Sequence, residues 1–250
     1  LRNIPTAGWI EFTGIKVTNE YEKITFCTHE FNVKWKTLTE VKDDSIARPL
    51  LMGYDLEAYS SVTSSMPKAF REEDKIFQIS CVFARQGGNS HENYLITLGK
   101  VDQRVGKDVK LIMCDTEAEL LISFTLLIQE KQPNICIGYN IFTFDIPYMI
   151  DRAKMRFVIE EFDMQGFLKG SHAKEKTIKW SSSAYKNQSF QFLDAEGRIF
   201  VDLLPLVRRD YRMNDYKLKT ISAYFLKDMT KDPLDHKGIF RCYRLGMKED

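Results

Sequence analysis

The feature that most constrains this chain is a fixed order of apolar segments between residues 49 and 148. The runs 49–57, 76–83 and 94–98 are rich in aliphatic and aromatic residues, and polar stretches separate them. Runs of this length and composition predict β-strands, and their close succession predicts an antiparallel meander.

A helix, a strand and a second helix are predicted to follow this meander. Thr116 and Glu119 have the spacing of a capping box, and apolar residues recur along one face of the next turns, so a helix should end before Pro133. Residues 134–138 predict a short buried strand. A second helix should begin near Asp145, because a proline two residues later suits a first turn. An α/β layer in this order has the ribonuclease H-like arrangement, with a mixed sheet and acidic residues converging at one sheet edge.

Residues 1–48 have a different pattern. A loose alternation of apolar and polar residues at 8–11 and 23–35 predicts the strands of a small β-rich piece. The charged stretch 40–44 predicts a solvated connector. We therefore expect part of a β-rich N-terminal domain at 1–48 and an α/β domain at 49–250.

Composition limits the cellular setting and the kind of partner. The formal net charge is +1, and the five cysteines lie apart without the spacing of a metal site. The apolar runs are too short to cross a bilayer, and no N-terminal stretch has the pattern of a signal peptide. These features predict a soluble intracellular protein that meets any nucleic acid through local basic patches. The basic residues between 169 and 179 could form one such patch, although a solvated loop is the interpretation we favour.

Two carboxylates lie on one predicted strand. Asp55 and Glu57 are two residues apart, so both side chains project from the same face. Neighbouring anions repel each other unless a cation neutralises them, and such oxygen ligands suit Mg²⁺ or Mn²⁺. A solvent-facing acidic pair is the alternative, and the pattern alone leaves it open.

Asp145 also has two interpretations. It would serve as the N-cap of the predicted helix, but capping does not account for Asn140 or for two phenylalanines in the same turn. An amide can hold a sugar or phosphate, and an aromatic ring can stack on a terminal base. A place in the core remains the alternative for at least one of Phe142 and Phe144.

Two stretches resemble the exonuclease motifs of B-family DNA polymerases. Tyr-Asp-Leu-Glu-Ala-Tyr-Ser at 54–60 is similar to the first motif, and Gly-Tyr-Asn-Ile-Phe-Thr-Phe-Asp-Ile-Pro-Tyr at 138–148 is similar to the second. Further similarity lies at 8–11, 180–185, 196–198 and 202–205, so the resemblance covers nearly the whole chain. It is nearest to delta-type replicative enzymes, including those of large DNA viruses.

The resemblance implies a ribonuclease H-like 3′→5′ proofreading exonuclease domain that removes 3′-terminal nucleotides from single-stranded DNA ends. It implies two Mg²⁺ ions, with Mn²⁺ as a substitute. Asp55, Glu57 and Asp145 would be the catalytic, metal-binding carboxylates. Asn140 and Phe144 would contact the DNA strand. The segment 186–199 would correspond to the hairpin that partitions DNA between polymerising and editing sites.

The sequence departs from the family pattern in two respects. It has no segment similar to the polymerase palm, in particular no Asp-Thr-Asp, and it has no convincing match to the third exonuclease motif, Tyr-x-x-x-Asp. Tyr211 and Asp215 fit the bare pattern, but the stretch around them better resembles another part of the family. We expect the true motif beyond Asp250, which would make 49–250 an incomplete exonuclease domain of a DNA-directed DNA polymerase.

The partners implied by the resemblance are primer-template DNA, the remainder of the polymerase chain, and a sliding clamp or accessory subunits. No membrane is implied, and the setting would be the nucleus or a viral replication compartment. Two other hypotheses stay open. The chain could be a stand-alone DEDD-type exonuclease, or a non-catalytic module that binds DNA or a subunit.

Overall fold

The computed structural model describes residues 4, 8–101, 106–182, 186–227 and 235–246. Its strands are β1 (Trp9–Glu11), β2 (Gly14–Lys16), β3 (Phe31–Val33), β4 (Thr39–Val41), β5 (Leu50–Ala58), β6 (Ile76–Arg85), β7 (His91–Leu98), β8 (Val109–Cys114), β9 (Ile135–Gly138), β10 (Lys174–Ser182), β11 (Lys186–Asp194) and β12 (Ile199–Asp202). Its helices are α1 (Glu117–Lys131), α2 (Asp145–Met155), α3 (Ile159–Phe162), α4 (Leu203–Asp210), α5 (Leu218–Leu226) and α6 (His236–Gly246). Within these ranges, no helix combines the length and the apolar character needed to span a membrane.

Among the described residues, six strands form one mixed sheet in the order β12-β9-β5-β6-β7-β8. β5, β6 and β7 are the predicted antiparallel meander, and β8 joins β7 in parallel. On the other side, β9 lies parallel to β5, and β12 lies parallel to β9. The ribonuclease H-like α/β fold expected from the sequence is confirmed.

Helix α1 begins and ends where the sequence predicts. The Thr116 hydroxyl accepts a hydrogen bond from the Glu119 N–H, and the Glu119 carboxylate accepts one from the Thr116 N–H, which completes the capping box. Gln132 has a left-handed conformation, with φ of 54°, and ends the helix. The apolar face of α1 packs on the sheet, where the ring centroids of Phe124 and Tyr54 are 5.4 Å apart. The core therefore lies between the sheet and the buried faces of α1 and α2.

A buried ion pair joins α1, α2 and the loop after β5. The side chain of Arg152 on α2 is fully buried and pairs with Glu117, the first residue of α1. Arg152 also donates to the carbonyl oxygens of Ala69 and Arg71, at 2.9 and 2.6 Å. Glu117 accepts a further hydrogen bond from the Ile76 N–H at 2.8 Å. Helix α2 is thereby tied both to α1 and to the meander.

The N-terminal residues form two small antiparallel sheets, β1 with β4 and β2 with β3. The prediction of a strand over 23–35 is wrong outside β3, and β4 overlaps the stretch predicted as a connector. The Ile24 and Thr25 N–H groups bond to the Glu30 carboxylate, and the Phe26 N–H donates to the Phe167 carbonyl at 2.8 Å. These side-chain and long-range partners replace a strand ladder. A boundary near residue 48 stays a prediction.

β10 and β11 form a long antiparallel hairpin that pairs residues 174–182 with 186–194. The prediction of a solvated loop at 169–179 is therefore wrong for residues 174–179. β10 is mostly polar and begins with three charged residues, and an ion pair between Lys176 and Asp194 crosses the hairpin. The segment 186–199, predicted to be a hairpin by itself, supplies the second strand of this hairpin and the start of β12.

Candidate active site

Three parallel strands, β5, β9 and β12, end at one edge of the sheet. Asp55 and Glu57 lie near the end of β5, the turn 139–144 leads from β9 to α2, and Asp202 ends β12. In α/β sheets, ligands bind outside the carboxyl ends of such strands. The parallel arrangement thus gathers acidic residues that are far apart in the sequence.

Successive residues of β5 face opposite sides of the sheet. Tyr54 and Leu56 are buried in the core, whereas Asp55 is exposed and Glu57 is half-buried on the other face. The two acidic side chains share a face, as the strand pattern predicts. Exposure of Asp55 also fits a solvent-facing acidic pair. The surroundings of Asp55 must therefore decide between that interpretation and a metal-binding one.

Asp145, the first residue of α2, lies close to Asp55 and is only 3% exposed. Burial, followed by the charge of the Asp55 carboxylate, raises the pKa of the Asp145 carboxyl group to about 7, while a backbone hydrogen bond from Leu56 opposes this shift. The Oδ1 atom of Asp145 is buried and has no hydrogen-bond partner in the described part of the chain. An unpaired oxygen beside a second carboxylate is unfavourable unless a proton or a cation neutralises it.

The capping interpretation does not account for Asp145. Phe144 occupies the N-cap position of α2, and no side chain caps this helix. Asp145 lies one residue further on, inside the first turn. Its position therefore calls for another explanation than helix capping.

The donor set suits a divalent cation with oxygen ligands. Asp55 and Asp145 bring two carboxylates together, Glu57 adds a third on the same strand face, and Asp145 has a buried oxygen without a partner among the described residues. These properties fit Mg²⁺ or Mn²⁺. Across the described ranges, no three His, Cys, Asp or Glu side chains are grouped closely enough to hold an ion. The structure thus gathers the pair Asp55 and Asp145, but not a complete ligand set.

The turn between β9 and α2 lies tightly against β5. A Cβ atom at Gly138 would be 3.1 Å from the Tyr54 carbonyl oxygen and 2.1 Å from the Ile141 side chain, so only glycine fits there. Asn140, which is half-buried, has the left-handed φ of 68°. The side-chain oxygen of Asn140 accepts a hydrogen bond from the Thr143 hydroxyl. This predicted DNA contact is therefore held within a close-packed turn beside the carboxylate pair.

Phe142 and Phe144 have different surroundings. The Phe142 ring lies 6.5 Å from Phe190 and 5.4 Å from Phe192, both on β11, and its carbonyl accepts the Gln191 N–H at 2.9 Å. Phe142 therefore packs against the base of the hairpin. Both rings are half-buried against the core, but Phe144 also lines a cavity.

The cavity at Phe144 measures about 560 Å³ and has mainly apolar walls. Tyr148 lies beside Phe144, with 5.4 Å between ring centroids, and Phe70 on the opposite loop is 77% exposed. Lys68 adds a cation to the lining, and Asp151 adds a carboxyl group. Aromatic walls with a nearby cation suit an unpaired nucleotide.

Asp202 is a site residue that the sequence patterns do not single out. It is 4% exposed and caps α4, where its side chain accepts a hydrogen bond from the Leu204 N–H. Its carboxylate also accepts the Asn140 and Phe142 N–H groups, at 2.8 and 3.0 Å. An aspartate before a helix predicts a cap. The hydrogen bonds that it accepts from residues 62 and 60 positions earlier leave no signal in the sequence around it.

Tyr211 and Asp215 have structural contacts away from the turn. Tyr211 follows α4 and packs edge-on against Tyr224 and Phe225. Asp215 accepts a backbone N–H at 3.0 Å and the Thr220 hydroxyl at 2.6 Å, at the start of α5. These contacts suit the interpretation that the match to the third motif is coincidental, which stays a prediction.

The chain matches the profile of the exonuclease domain of DNA polymerase family B over residues 1–221. A DNA polymerase of Invertebrate iridescent virus 3 is 46% identical over 260 residues, which cover 99% of this chain and 22% of the relative. A putative DNA polymerase of Frog virus 3 is 32% identical over 248 residues, with coverage of 97% and 24%. The DNA polymerase delta catalytic subunit of Oryza sativa subsp. japonica is 29% identical over 252 residues, with coverage of 99% and 22%.

The chain thus spans between a fifth and a quarter of the length of these relatives. The profile match covers most of the sequence and includes β5, the turn 139–144, α2 and β12. Because the match extends over both predicted motifs and the elements around them, the chain belongs to the exonuclease-domain family of the B-family DNA polymerases.

Proposed function

We propose that the chain is the 3′→5′ proofreading exonuclease of a replicative DNA polymerase and removes 3′-terminal nucleotides from single-stranded DNA ends. The main support is the pair Asp55 and Asp145 at the sheet edge, where a buried oxygen of Asp145 has no hydrogen-bond partner among the described residues. Hydrolysis adds water across the terminal phosphodiester bond. The shortened strand keeps a 3′-hydroxyl, and a nucleoside 5′-monophosphate leaves.

Asp55, Glu57 and Asp145 are the residues that we propose to hold two Mg²⁺ ions, with Mn²⁺ as a substitute. Bound there, the ions would activate water and stabilise negative charge on the phosphate oxygens. The protein contributes the position of the carboxylates. Strand β5 fixes Asp55 and Glu57 on one face, and the backbone N–H of Leu56 restrains Asp145.

Asn140 and Phe144 would hold the terminal nucleotides of the strand. The Phe144 ring lines the cavity, and stacking of one base on such a ring contributes roughly 1–3 kcal/mol. The Asn140 amide can bond a sugar or phosphate oxygen. Unpaired ends should be preferred, because a paired end must first be melted before it enters the site.

The further partners that we propose are primer-template DNA, the rest of the polymerase, and a sliding clamp or accessory subunits. Their support is that the relatives are named DNA polymerases and are much longer than this chain. The same reasoning favours action in the nucleus or in a viral replication compartment. The β10–β11 hairpin, whose base packs on Phe142, is proposed to help partition DNA between two sites.

The test is the degradation of a labelled single-stranded oligonucleotide by the intact polymerase that we propose contains this chain. Asp55→Ala and Asp145→Ala should each abolish Mg²⁺-dependent release of mononucleotides, because each removes a metal-binding charge without opening a large cavity. Thermal melting should show folded variants. Asp163→Asn is the matched control, because Asp163 is half-buried and pairs with His172 at 2.6 Å outside the site.

Each other result has a defined meaning. Undiminished release by both alanine variants would reject the site. A wild-type polymerase that binds single strands and extends primers, but releases no mononucleotide, would favour a non-catalytic module. Full activity in the 250-residue chain alone would favour a stand-alone exonuclease.

A further inference from the structure

We propose that Asp202 is a positioning residue of the exonuclease site, which holds the turn 139–144 in the conformation that presents Asp145. This inference rests on the proposed function, and it assigns Asp202 a role through the backbone of the turn rather than through metal or DNA.

The carboxylate of Asp202 is almost fully engaged by backbone donors. Its Oδ1 atom accepts the Leu204 N–H at 2.9 Å and the Asn140 N–H at 2.8 Å, and its Oδ2 atom accepts the Phe142 N–H at 3.0 Å. The residue is 4% exposed. Hydrogen bonds from N–H groups to a buried carboxylate are about twice as strong as neutral ones. Asp202 therefore clamps the start of α4 and two residues of the turn to the end of β12.

The turn needs such a clamp because its backbone is unfavourable by itself. Asn140 has φ of 68°, in the left-handed region that residues other than glycine seldom adopt. The following helix has no side-chain cap of its own. The Asp202 carboxylate holds the N–H of Asn140 from outside the turn and so stabilises this conformation.

The clamp is connected to Asp145 through two steps of hydrogen bonding. The Asn140 carbonyl accepts the Phe144 N–H at 3.2 Å, and the Ile141 carbonyl accepts the Ile146 N–H at 2.9 Å. Asp145 lies between these two donors in the chain. A displacement of Asn140 or Ile141 should therefore move the backbone of Asp145.

A ligand role suits Asp202 less well than a positioning role. Three of about four acceptor sites on its carboxylate already hold backbone N–H groups. Asp145, in contrast, keeps a buried Oδ1 without a partner in the described residues. The two aspartates thus lie at one sheet edge with different tasks, and Asp202 should not be counted as a missing third-motif carboxylate.

Two substitutions separate the clamp from simple helix capping. Asp202→Ser keeps an oxygen that can cap α4, but its side chain is too short to reach both N–H groups of the turn. Asp202→Asn keeps one acceptor oxygen. Its NH₂ group replaces the other oxygen and cannot accept the backbone N–H that faces it. If capping of α4 were the whole role, the serine variant would behave like the wild type.

The experiment uses the intact polymerase and measures single-strand degradation in Mg²⁺, Mn²⁺ binding by electron paramagnetic resonance, and amide hydrogen exchange. Asp202→Ser and Asp202→Asn should lower kcat by about tenfold or more, because small misplacement of a reacting group can cost up to about 100-fold. Exchange at the Asn140 and Phe142 amides should become faster. Both variants should still bind Mn²⁺ where Asp145→Ala does not.

Thr116→Ala is the stability control, since it removes the N-cap of α1 and leaves the turn intact. It should lower Tm but not kcat. A serine variant with wild-type kcat and unchanged amide exchange would overturn the proposal, and complete loss of Mn²⁺ binding would make Asp202 a ligand instead. If the wild type degrades no DNA, the proposed function fails, and exchange at Asn140 and Phe142 still decides whether Asp202 holds the turn.

Discussion

At the scale of single residues, Asp145 shows how a site can be unfavourable for the fold that carries it. Its carboxyl group is buried beside Asp55, and these two causes raise its pKa to about 7. In the unfolded chain the same group has a pKa near the ordinary aspartate value. The metal-free folded protein therefore binds a proton at a pH where the unfolded chain has already released it.

The sign of this difference gives a prediction for the chain in EDTA. Asp145 contributes stability that is fully present below the unfolded pKa and is lost as the pH rises to the folded value of about 7. Asp145→Asn should therefore increase the free energy of unfolding at about pH 8, on the order of 2–4 kcal/mol, and change it little at about pH 4. Urea denaturation at several pH values measures this. Asp44→Asn, at an exposed residue of the N-terminal segment, is the matched control.

Phe144 offers a second test at this scale, because stacking acts on the base whereas the carboxylates act on the ion. Phe144→Ala should weaken binding of a single-stranded 3′ end by roughly 1–3 kcal/mol and leave Mn²⁺ affinity nearly unchanged. Fluorescence anisotropy with a labelled oligonucleotide and a Mn²⁺ titration give the two values. A variant that fails to fold would show instead that the ring belongs to the core.

At the scale of elements, the helix that carries Asp145 is held by the buried pair of Arg152 and Glu117. Removing Glu117 leaves the fully buried Arg152 without a counter-charge, whereas Glu117 also pairs with Arg156, at 2.7 Å. Arg152 also satisfies two carbonyl groups of the loop after β5. This pair therefore fixes α2 against α1 and against the loop that forms one wall of the cavity at Phe144.

Glu117→Gln should lower the free energy of unfolding by about 3–5 kcal/mol, because it leaves the buried Arg152 without a counter-charge, and Arg152→Met should also be destabilising. The double variant should cost less than the sum of the two single variants, because the buried Arg152 charge that Glu117→Gln leaves unpaired is then absent. Urea denaturation of the wild type, the two single variants and the double variant completes the double-mutant cycle. Lys154→Ala is the matched control on the same helix, since its ion pair with Glu175 is largely exposed, and it should cost less than about 1 kcal/mol. An additive double variant would show that the two side chains do not act as a pair.

At the scale of the whole molecule, the described carboxylates do not complete a metal site, and the relatives are several times longer than the chain. Two-metal hydrolysis needs ligands on several sides of the ions. We expect the remaining aspartate, with its tyrosine, in a Tyr-x-x-x-Asp motif beyond Asp250. The 250-residue chain should then be a poor exonuclease.

A longer protein that includes the next Tyr-x-x-x-Asp should release mononucleotides roughly 100-fold faster than the 250-residue chain at equal concentration. It should also melt at a higher temperature if the added helix covers apolar surface. Equal rates would contradict this expectation. Loss of activity in a Tyr211→Phe, Asp215→Ala double variant would show that the third motif lies within the chain.

Local physics was enough to predict much of the α/β fold. Alternation and composition located the strands of the meander, and the capping box located the start of α1 to the residue. The two-residue spacing of Asp55 and Glu57 placed both on one face of β5. These features depend on a few adjacent residues, whose backbone preferences act within one turn or one strand.

Other features were decided only by contacts between distant segments. The sequence around 174–179 does not reveal its partner strand, so the pattern predicts a loop where the structure has a hairpin. At 23–28, hydrogen bonds to Glu30 and Phe167 replace the strand that the alternation predicts. Three parallel strands must end together to bury Asp145 beside Asp55. The same arrangement lets the Asp202 carboxylate accept hydrogen bonds from the turn. Where tertiary contacts agree with local preference, a residue's own neighbours determine its element and its face. The residues brought to it by the sheet determine its charge state and its partners, because burial and electrostatic coupling depend on distance in space.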